Sequence, residues 1–183
     1  MTKIRSATDR MYSMIEGVLS YSTTAAINQP KEQIDLNEVV SQIQTDLEVP
    51  ILEKKGVLVA DGLPTVEGAP VLLYQLFYNL VNNSLKFSKT DVPPVIIIRS
   101  QMVSIEGNPF AKITVSDNGI GFNEEDAERI FTTFTRLNSK DKYEGTGLGL
   151  ALCKKIVQRH SGFIYAHGEK NVGAQFTVSL PIK

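Results

Sequence analysis

The chain has 183 residues, 42% of them hydrophobic, with 19 Lys and Arg against 20 Asp and Glu for a formal net charge of −1. That length fits one globular unit with an appendage, and the near cancellation of charge excludes the one-signed field with which nucleic-acid binders gather phosphate. The single cysteine, Cys153, excludes a disulfide framework and a multi-cysteine zinc site.

No run approaches the roughly 18–20 consecutive apolar residues of a membrane span, and the N-terminus has no signal-peptide pattern. These residues are therefore expected to make no membrane contact and to sit in a reducing cytoplasm. Any membrane anchor of a larger parent protein would lie outside them.

In chain order, Ile4, Ala7, Met11, Met14, Val18 and Tyr21 alternate spacings of three and four, the seam of a helix that packs on a partner helix. A stripe this short is marginal alone in water and requires that partner. Residues 25–31, with Asn28 and Pro30, read as a break. Asp35, with Glu38 three positions later, forms an N-cap and capping box, and Val39, Val40, Ile43, Leu47 and Ile51 then mark one amphipathic helix. Residues 57–60 and 65–67 read as short strands flanking a turn.

Pro70 suits a helix first turn. The helix it opens sends Leu72, Leu73, Leu76, Phe77, Leu80, Val81 and Leu85 to a core, while Asn79, Asn83 and Lys86 recur on another face. Residues 95–104 and 112–116 are β-branched runs around a turn at 106–109, which predicts an antiparallel pair. Asn123 and Asp126 are placed to cap a short helix ending near Phe131. A polar stretch over 135–145 precedes a helix carrying Leu148, Leu150, Leu152, Ile156 and Val157, with Cys153 as a small core residue and Ser161–Gly162 as its stop. Strands at 163–166 and 174–180 close the chain. The pattern predicts an α+β fold, a two-layer sandwich of a mixed sheet with helices on one face, preceded by an extended N-terminal helix.

Three segments carry chemistry. Asn79 and Asn83 offer amide oxygens, neutral hard ligands suited to a magnesium ion that keeps waters and bridges phosphates, and Lys86 adds a point charge for phosphate. Asp117-Asn118-Gly119-Ile120-Gly121-Phe122 follows a strand, so its carboxylate is anchored to accept from an exocyclic amine while the glycines admit a flat ring. Gly145-Thr146-Gly147-Leu148-Gly149-Leu150 opens a helix, and backbone N–H groups there meet an anion at the positive end of the helix dipole. Each segment has an ordinary structural alternative: a solvated helix face, a tight turn, or a glycine run that lacks the Lys-Ser/Thr ending of a P-loop.

Taken together, residues 79–88, 117–122, Phe131 with Phe134, and 145–162 resemble the N, first-glycine, F and second-glycine boxes of sensor histidine kinases, in order and spacing over residues 34–183. The stretch from Tyr143 to Val157 is most similar to kinases linked to phytochrome and PAS modules. The resemblance implies the Bergerat ATP-binding sandwich shared with gyrase and a heat-shock chaperone. It also implies ATP and Mg²⁺ as cofactors, with Asn83 on the metal, Asn79 and Lys86 near the phosphates, Asp117 on the adenine amine, and Gly119, Gly121, Phe122, Thr146, Gly147, Leu148 and Gly149 shaping the pocket. Residues 135–146 become a lid in which Arg136 and Lys140 add charge over the γ-phosphate, and Tyr143 and Gly145 border the nucleotide.

The resemblance also implies a division into a partial dimerisation and phosphotransfer helix over 1–27, a linker over 28–33 and an ATP-binding catalytic domain over 34–183. The expected activity is donation of the ATP γ-phosphoryl group to a histidine outside this chain, since His160 and His167 lack the family's acceptor pattern and read as capping or surface residues. Expected partners are ATP and ADP, a second copy joined through the N-terminal helix as a homodimer, and a response regulator, with no nucleic acid. Asn79 stands where hydrolysing relatives have glutamate, and Ala174 where members often have a hydroxyl beside adenine. The competing readings are a nucleotide sensor or dimeric scaffold without transfer activity, or another ATPase or serine kinase of the superfamily.

Overall fold

The computed structural model describes Ile15, residues 30–135, Leu137 and residues 146–182. The N-terminal heptad helix, Ile15 apart, and most of the expected lid lie outside the described residues.

Strand β1, Glu32–Asp35, pairs antiparallel with β3, Thr65–Gly68, as a separate two-stranded ribbon. This strand runs into the segment expected to be a linker. Asp35 ends it and at once caps helix α1, Leu36–Asp46, by accepting from Asn37 N at 2.8 Å. The cap therefore works through the residue two positions on, and the expected box with Glu38 is not the one made. The Asn37 amide meanwhile donates to the Leu63 carbonyl and accepts from Leu63 N, which fixes the turn between the two short strands.

The single helix expected over 35–51 is two. α1 stops at Leu47, whose φ of −102° and ψ of 12° leave the helical region, and α2, Glu48–Glu53, restarts behind it. Pro50 explains the break: its ring clashes with the carbonyl four residues back, and it has no N–H to continue the ladder.

Strand β2, Val57–Ala60, lies between the two ribbon strands in sequence but joins the main sheet, parallel to β4, Val95–Ile105. β4 turns through Glu106 and Gly107, both at positive φ, into β5, Asn108–Asp117. That two-residue turn matches the right-handed twist of a hairpin. With β6, Phe163–Glu169, and β7, Gly173–Pro181, the sheet order is β2-β4-β5-β7-β6, and every pair after the first is antiparallel. The expected mixed sheet is the observed one.

Helix α3, Pro70–Lys86, has Pro70 in its first turn and buries Leu72, Leu73, Leu76, Phe77, Leu80, Val81 and Leu85. It packs beside α4, Gly149–Arg159, against the sheet's inner residues Ile96, Ile98, Ile113, Val115 and Val178. Phe77 is fully buried at the centre of this core, where truncation to alanine removes about 3–5 kcal/mol. Cys153 is buried among these residues with its Sγ 3.7 Å from the Leu76 carbonyl. Burial pushes its thiol pKa up, so it is an inert core group.

The helix expected near residue 123 is instead two 3-10 turns, Glu124–Asp126 and Arg129–Phe131, and the Asn123 side chain makes no cap bond. Among the described residues no helix is long and apolar enough to cross a membrane.

Candidate nucleotide site

The helical period of α3 that sends its leucines inward leaves Asn79, Asn83 and Lys86 on the flank that faces α4 and the end of β5. There they line a cavity of about 310 Å³, within the volume range of small-ligand sites. Gly149 borders the opposite wall: a Cβ built on it would stand 3.5 Å from Asn79 Oδ1, so the two segments face each other closely. The Lys86 ammonium lies 4.6 Å from the centre of the Phe87 ring, a cation–π contact that holds the charge at the rim.

Asp117 is the last residue of β5 and stands opposite Ala174 of β7 in the register. Its Oδ1 accepts from Gly119 N at 2.9 Å and from Ala174 N at 3.2 Å, and its Oδ2 accepts from Ser84 Oγ at 2.9 Å. Burial raises the carboxyl pKa, against the lowering effect of these three bonds and of the nearby Lys89 charge. A carboxylate gripped by donors on three sides and open to a cavity is an orienting acceptor, suited to an amino group of a ligand.

The loop after Asp117 is clamped from both sides. Ile120 N donates to the Phe87 carbonyl at the end of α3, and Asn171 N, in the turn between β6 and β7, donates to the Ile120 carbonyl. Gly121 has φ of +60°, and a Cβ there would collide with the Glu169 carbonyl. Glycine alone meets both demands, and the result is a thin wall over which the Phe122 side chain lines the cavity.

The second glycine segment opens α4. Thr146 Oγ1 accepts from Leu148 N at 3.3 Å, and no side chain caps the helix at Leu148. The first N–H groups of α4 are thereby left for a ligand, with the positive end of the helix dipole behind them. Gly147 has φ of +74°, a Cβ on it would come within 2.9 Å of the Phe134 backbone, and its carbonyl accepts from Phe134 N at 3.0 Å. That bond joins the two ends of the stretch read as a lid.

Of the residues singled out in sequence, the cavity brings together Asn79, Asn83, Lys86, Asp117, Gly121, Phe122, Thr146, Gly147 and Gly149. Gly119 acts from behind the wall through its N–H to Asp117, and Leu148 is buried in the core at 3% exposure. Arg136, Lys140, Tyr143 and Gly145 lie outside the described residues. The two phenylalanines part company: Phe131 is core at 7% exposure, while Phe134 is 56% exposed with a left-handed backbone.

Sequence reasoning missed the apolar lining supplied by Ile130 and Phe176, and it missed the role of Ser84. Ile130 and Phe176 are buried and pack in the core as well as against the cavity, and nothing local to Ser84 announces a partner 33 positions away.

Neither histidine is placed as an acceptor. His167 pairs with Glu124 at 2.8 Å on the far end of β6. Of the two roles expected, capping or surface, His160 takes the first: it ends α4 as its cap and is buried at 4% exposure. Its Nδ1 lies 2.8 Å from the Ile156 carbonyl, and its Nε2 accepts from Ala69 N.

A mixed sheet backed by helices, with an amide-bearing helix, an anchored carboxylate and an open helix N-terminus around one cavity, defines the class of nucleotide-binding α+β sandwiches. Residues 68–183 match the family described as histidine kinase-, DNA gyrase B-, and HSP90-like ATPase. The chain belongs to that family, as an ATP-binding catalytic domain of the sensor histidine kinase kind.

Relatives include cyanobacterial phytochrome A of Nostoc sp. strain PCC 7120, 34% identical over 172 residues, with 94% of this chain and 22% of that protein covered. Sensor protein RprX of Bacteroides fragilis is 28% identical over 188 residues, covering 98% of this chain and 35% of that one. The chain thus spans about a fifth to a third of the length of these curated relatives. Among solved structures, full-length ShkA in complex with AMPPNP superposes with a TM-score of 0.79 at 24% identity, over 98% of this chain and 37% of that one. The catalytic domain of histidine kinase ThkA does so with a TM-score of 0.68 at 26% identity, over 84% and 98%.

Proposed function

We propose that this chain takes ATP with Mg²⁺ in the cavity and serves as the phosphoryl donor to a histidine carried on a different helix, in the same or a partner subunit. The observation that carries the reading is the convergence on one cavity of the amides of Asn79 and Asn83, the Asp117 carboxylate and the uncapped N-terminus of α4. The donor set fits the nucleotide: an acceptor for the adenine amine at one end, bare peptide N–H groups and Lys86 for phosphate at the other.

It also fits the metal. Asn83 lines the cavity, and its amide oxygen, a neutral hard ligand, would hold the ion there beside the phosphates. Bound there, Mg²⁺ supplies charge neutralisation across the phosphate oxygens.

The residues of the chain do the positioning. Asp117 fixes the base, and Asn83 holds the metal. Lys86 and the α4 N-terminus hold phosphate oxygens and stabilise the charge that spreads over them during transfer. Asn79 is an amide and cannot take a proton from water, which leaves an external nucleophile as the acceptor and its placement as the limiting step. Both histidines of the chain are committed elsewhere, His160 to Ile156 and Ala69 and His167 to Glu124, so the acceptor belongs to another segment. In the same reading residues 1–27 form the helix that joins two copies, Arg136 and Lys140 add charge over the γ-phosphate from the lid bordered by Tyr143 and Gly145, and a response regulator receives the phosphoryl group.

Mixing this chain with Mg-ATP and a separate polypeptide bearing an acceptor-histidine helix should yield acid-labile, base-stable phosphoprotein. No labelling of that polypeptide while the chain holds nucleotide, or rapid ATP hydrolysis with no acceptor present, would sink the reading.

A further inference from the structure

Ser84 follows Asn83 on α3, is 2% exposed and does not line the cavity. Its hydroxyl stands 2.9 Å from Asp117 Oδ2 and 3.2 Å from the Leu80 carbonyl. One hydroxyl carries one proton, so the two acceptors compete for it. A serine inside a helix ordinarily bonds the carbonyl four residues back. Here the shorter contact is to a carboxylate, and a bond to an ionised acceptor is the stronger of the two. Asp117 Oδ1 is already occupied by Gly119 N and Ala174 N, while Oδ2 has Ser84 on one side and a lone pair left for a ligand.

We propose that Ser84 is a positioning residue for base selection: it keeps Asp117 an acceptor toward the cavity, so that the pocket takes a 6-aminopurine and refuses a 6-oxopurine. This rests on the reading of Asp117 as the contact to the base. With the carboxylate ionised, Ser84 donates to Oδ2, and the remaining lone pair accepts from the exocyclic amine. When Oδ2 is protonated, the hydroxyl turns its own proton to the Leu80 carbonyl and accepts the carboxylic proton, which then points at Ser84 and away from the base. In neither state does Asp117 present a donor to the cavity.

Without that hydroxyl, a proton on Oδ2 is free to face the ligand, where a 6-oxo group would accept it. The buried setting of Asp117 favours that protonation. The charged groups facing it are Lys89, beyond the end of α3, and Lys86, which lines the same cavity. From the loop and from β7 it meets the N–H groups of Gly119 and Ala174.

The test compares ADP with IDP by calorimetry on the whole chain at several pH values between about 5.5 and 7.5. The two ligands share their phosphates, so phosphate titration cancels in the ratio of affinities. The wild type should keep its preference for ADP to within about twofold across the range. Ser84→Ala should bind ADP more weakly and narrow the preference by about tenfold, most at the acid end. Ser84→Thr, which keeps the hydroxyl, should restore it.

An unchanged ratio in Ser84→Ala at every pH overturns the proposal, and so does a wild-type preference that collapses on acidification, a measurement that needs no variant to fold. Asp117→Asn separates the two readings: if it binds ADP as tightly as wild type, the base contact itself is misassigned, whatever Ser84 does.

Discussion

His160 Nε2 accepts a hydrogen bond of 3.0 Å from the backbone N–H of Ala69, 91 positions earlier in the chain. The bond ties the C-terminal end of α4 to the residue that caps the start of α3, so the two helices that border the cavity are joined at their far ends. With Nδ1 2.8 Å from the Ile156 carbonyl, the imidazole is neutral, with a proton on Nδ1 and none on Nε2.

Burial holds the His160 pKa below its ordinary value, with the Lys31 and Arg159 charges acting in the same direction and the bond to Ile156 opposing. A histidine protonates near pH 6.5 in the unfolded chain, so below that pH the unfolded state binds the extra proton and the folded state resists it. The stabilisation is therefore complete above about pH 6.5 and lost as pH falls through and below it. His160→Phe should leave the Ala69 N–H unsatisfied, cost about 1–3 kcal/mol at neutral pH, and flatten the loss of stability between pH 7.5 and 5.5. Urea unfolding at three pH values measures this, and parallel losses in wild type and variant would contradict it.

Asp117→Asn should weaken ADP binding by about 10–100-fold, because the amide presents a donor where the ligand needs an acceptor. Calorimetry without metal isolates this term from the phosphate end. Unfolding of the unliganded variant should be cooperative, which separates loss of contact from loss of fold.

Asn83→Ala should act through the metal. ADP affinity measured in excess chelator should change little, while the gain in affinity on adding Mg²⁺ should shrink by at least about tenfold. An undiminished response to Mg²⁺ would remove Asn83 from the metal.

Gly121→Ala asks an L-residue to adopt φ of +60° with its Cβ against the Glu169 carbonyl. The backbone alone costs about 1–2 kcal/mol, which for a chain of this size lowers the melting temperature by roughly 2–8 °C. The same change opens the clamp on the loop, so nucleotide affinity should fall with it, whereas Gly107→Ala, at a solvent-exposed turn with nothing near its Cβ site, should lower stability and leave binding intact. Thermal melts with and without ADP read both effects.

The elements legible in sequence were those whose signal is local and periodic. α3 announced itself through seven inward side chains and a proline in its first turn, and the chemistry of its other face followed from the same period. The cavity was legible because Asn83, Asp117 and Gly147 each sit in a motif whose residue types have few other uses in that combination. What stayed hidden depends on distant partners. β1 has one buried side chain, Ile34, and owes its form to pairing with β3. The His160 bond to Ala69 and the Ser84 bond to Asp117 join segments that no periodicity relates. The break at Leu47 is a different case, since Pro50 carried the signal and the apolar spacing on either side of it outweighed the warning.

Asp117 ends a strand paired over ten residues with β4 and over eight with β7. Opening the backbone at that point means dissolving the centre of the sheet, so its amide neighbours on β5 should exchange with solvent only when the whole domain unfolds. The Asp117 end of the cavity is therefore built into the most persistent part of the molecule. Under the function proposed above, the surface that would read the base is set before the ligand arrives.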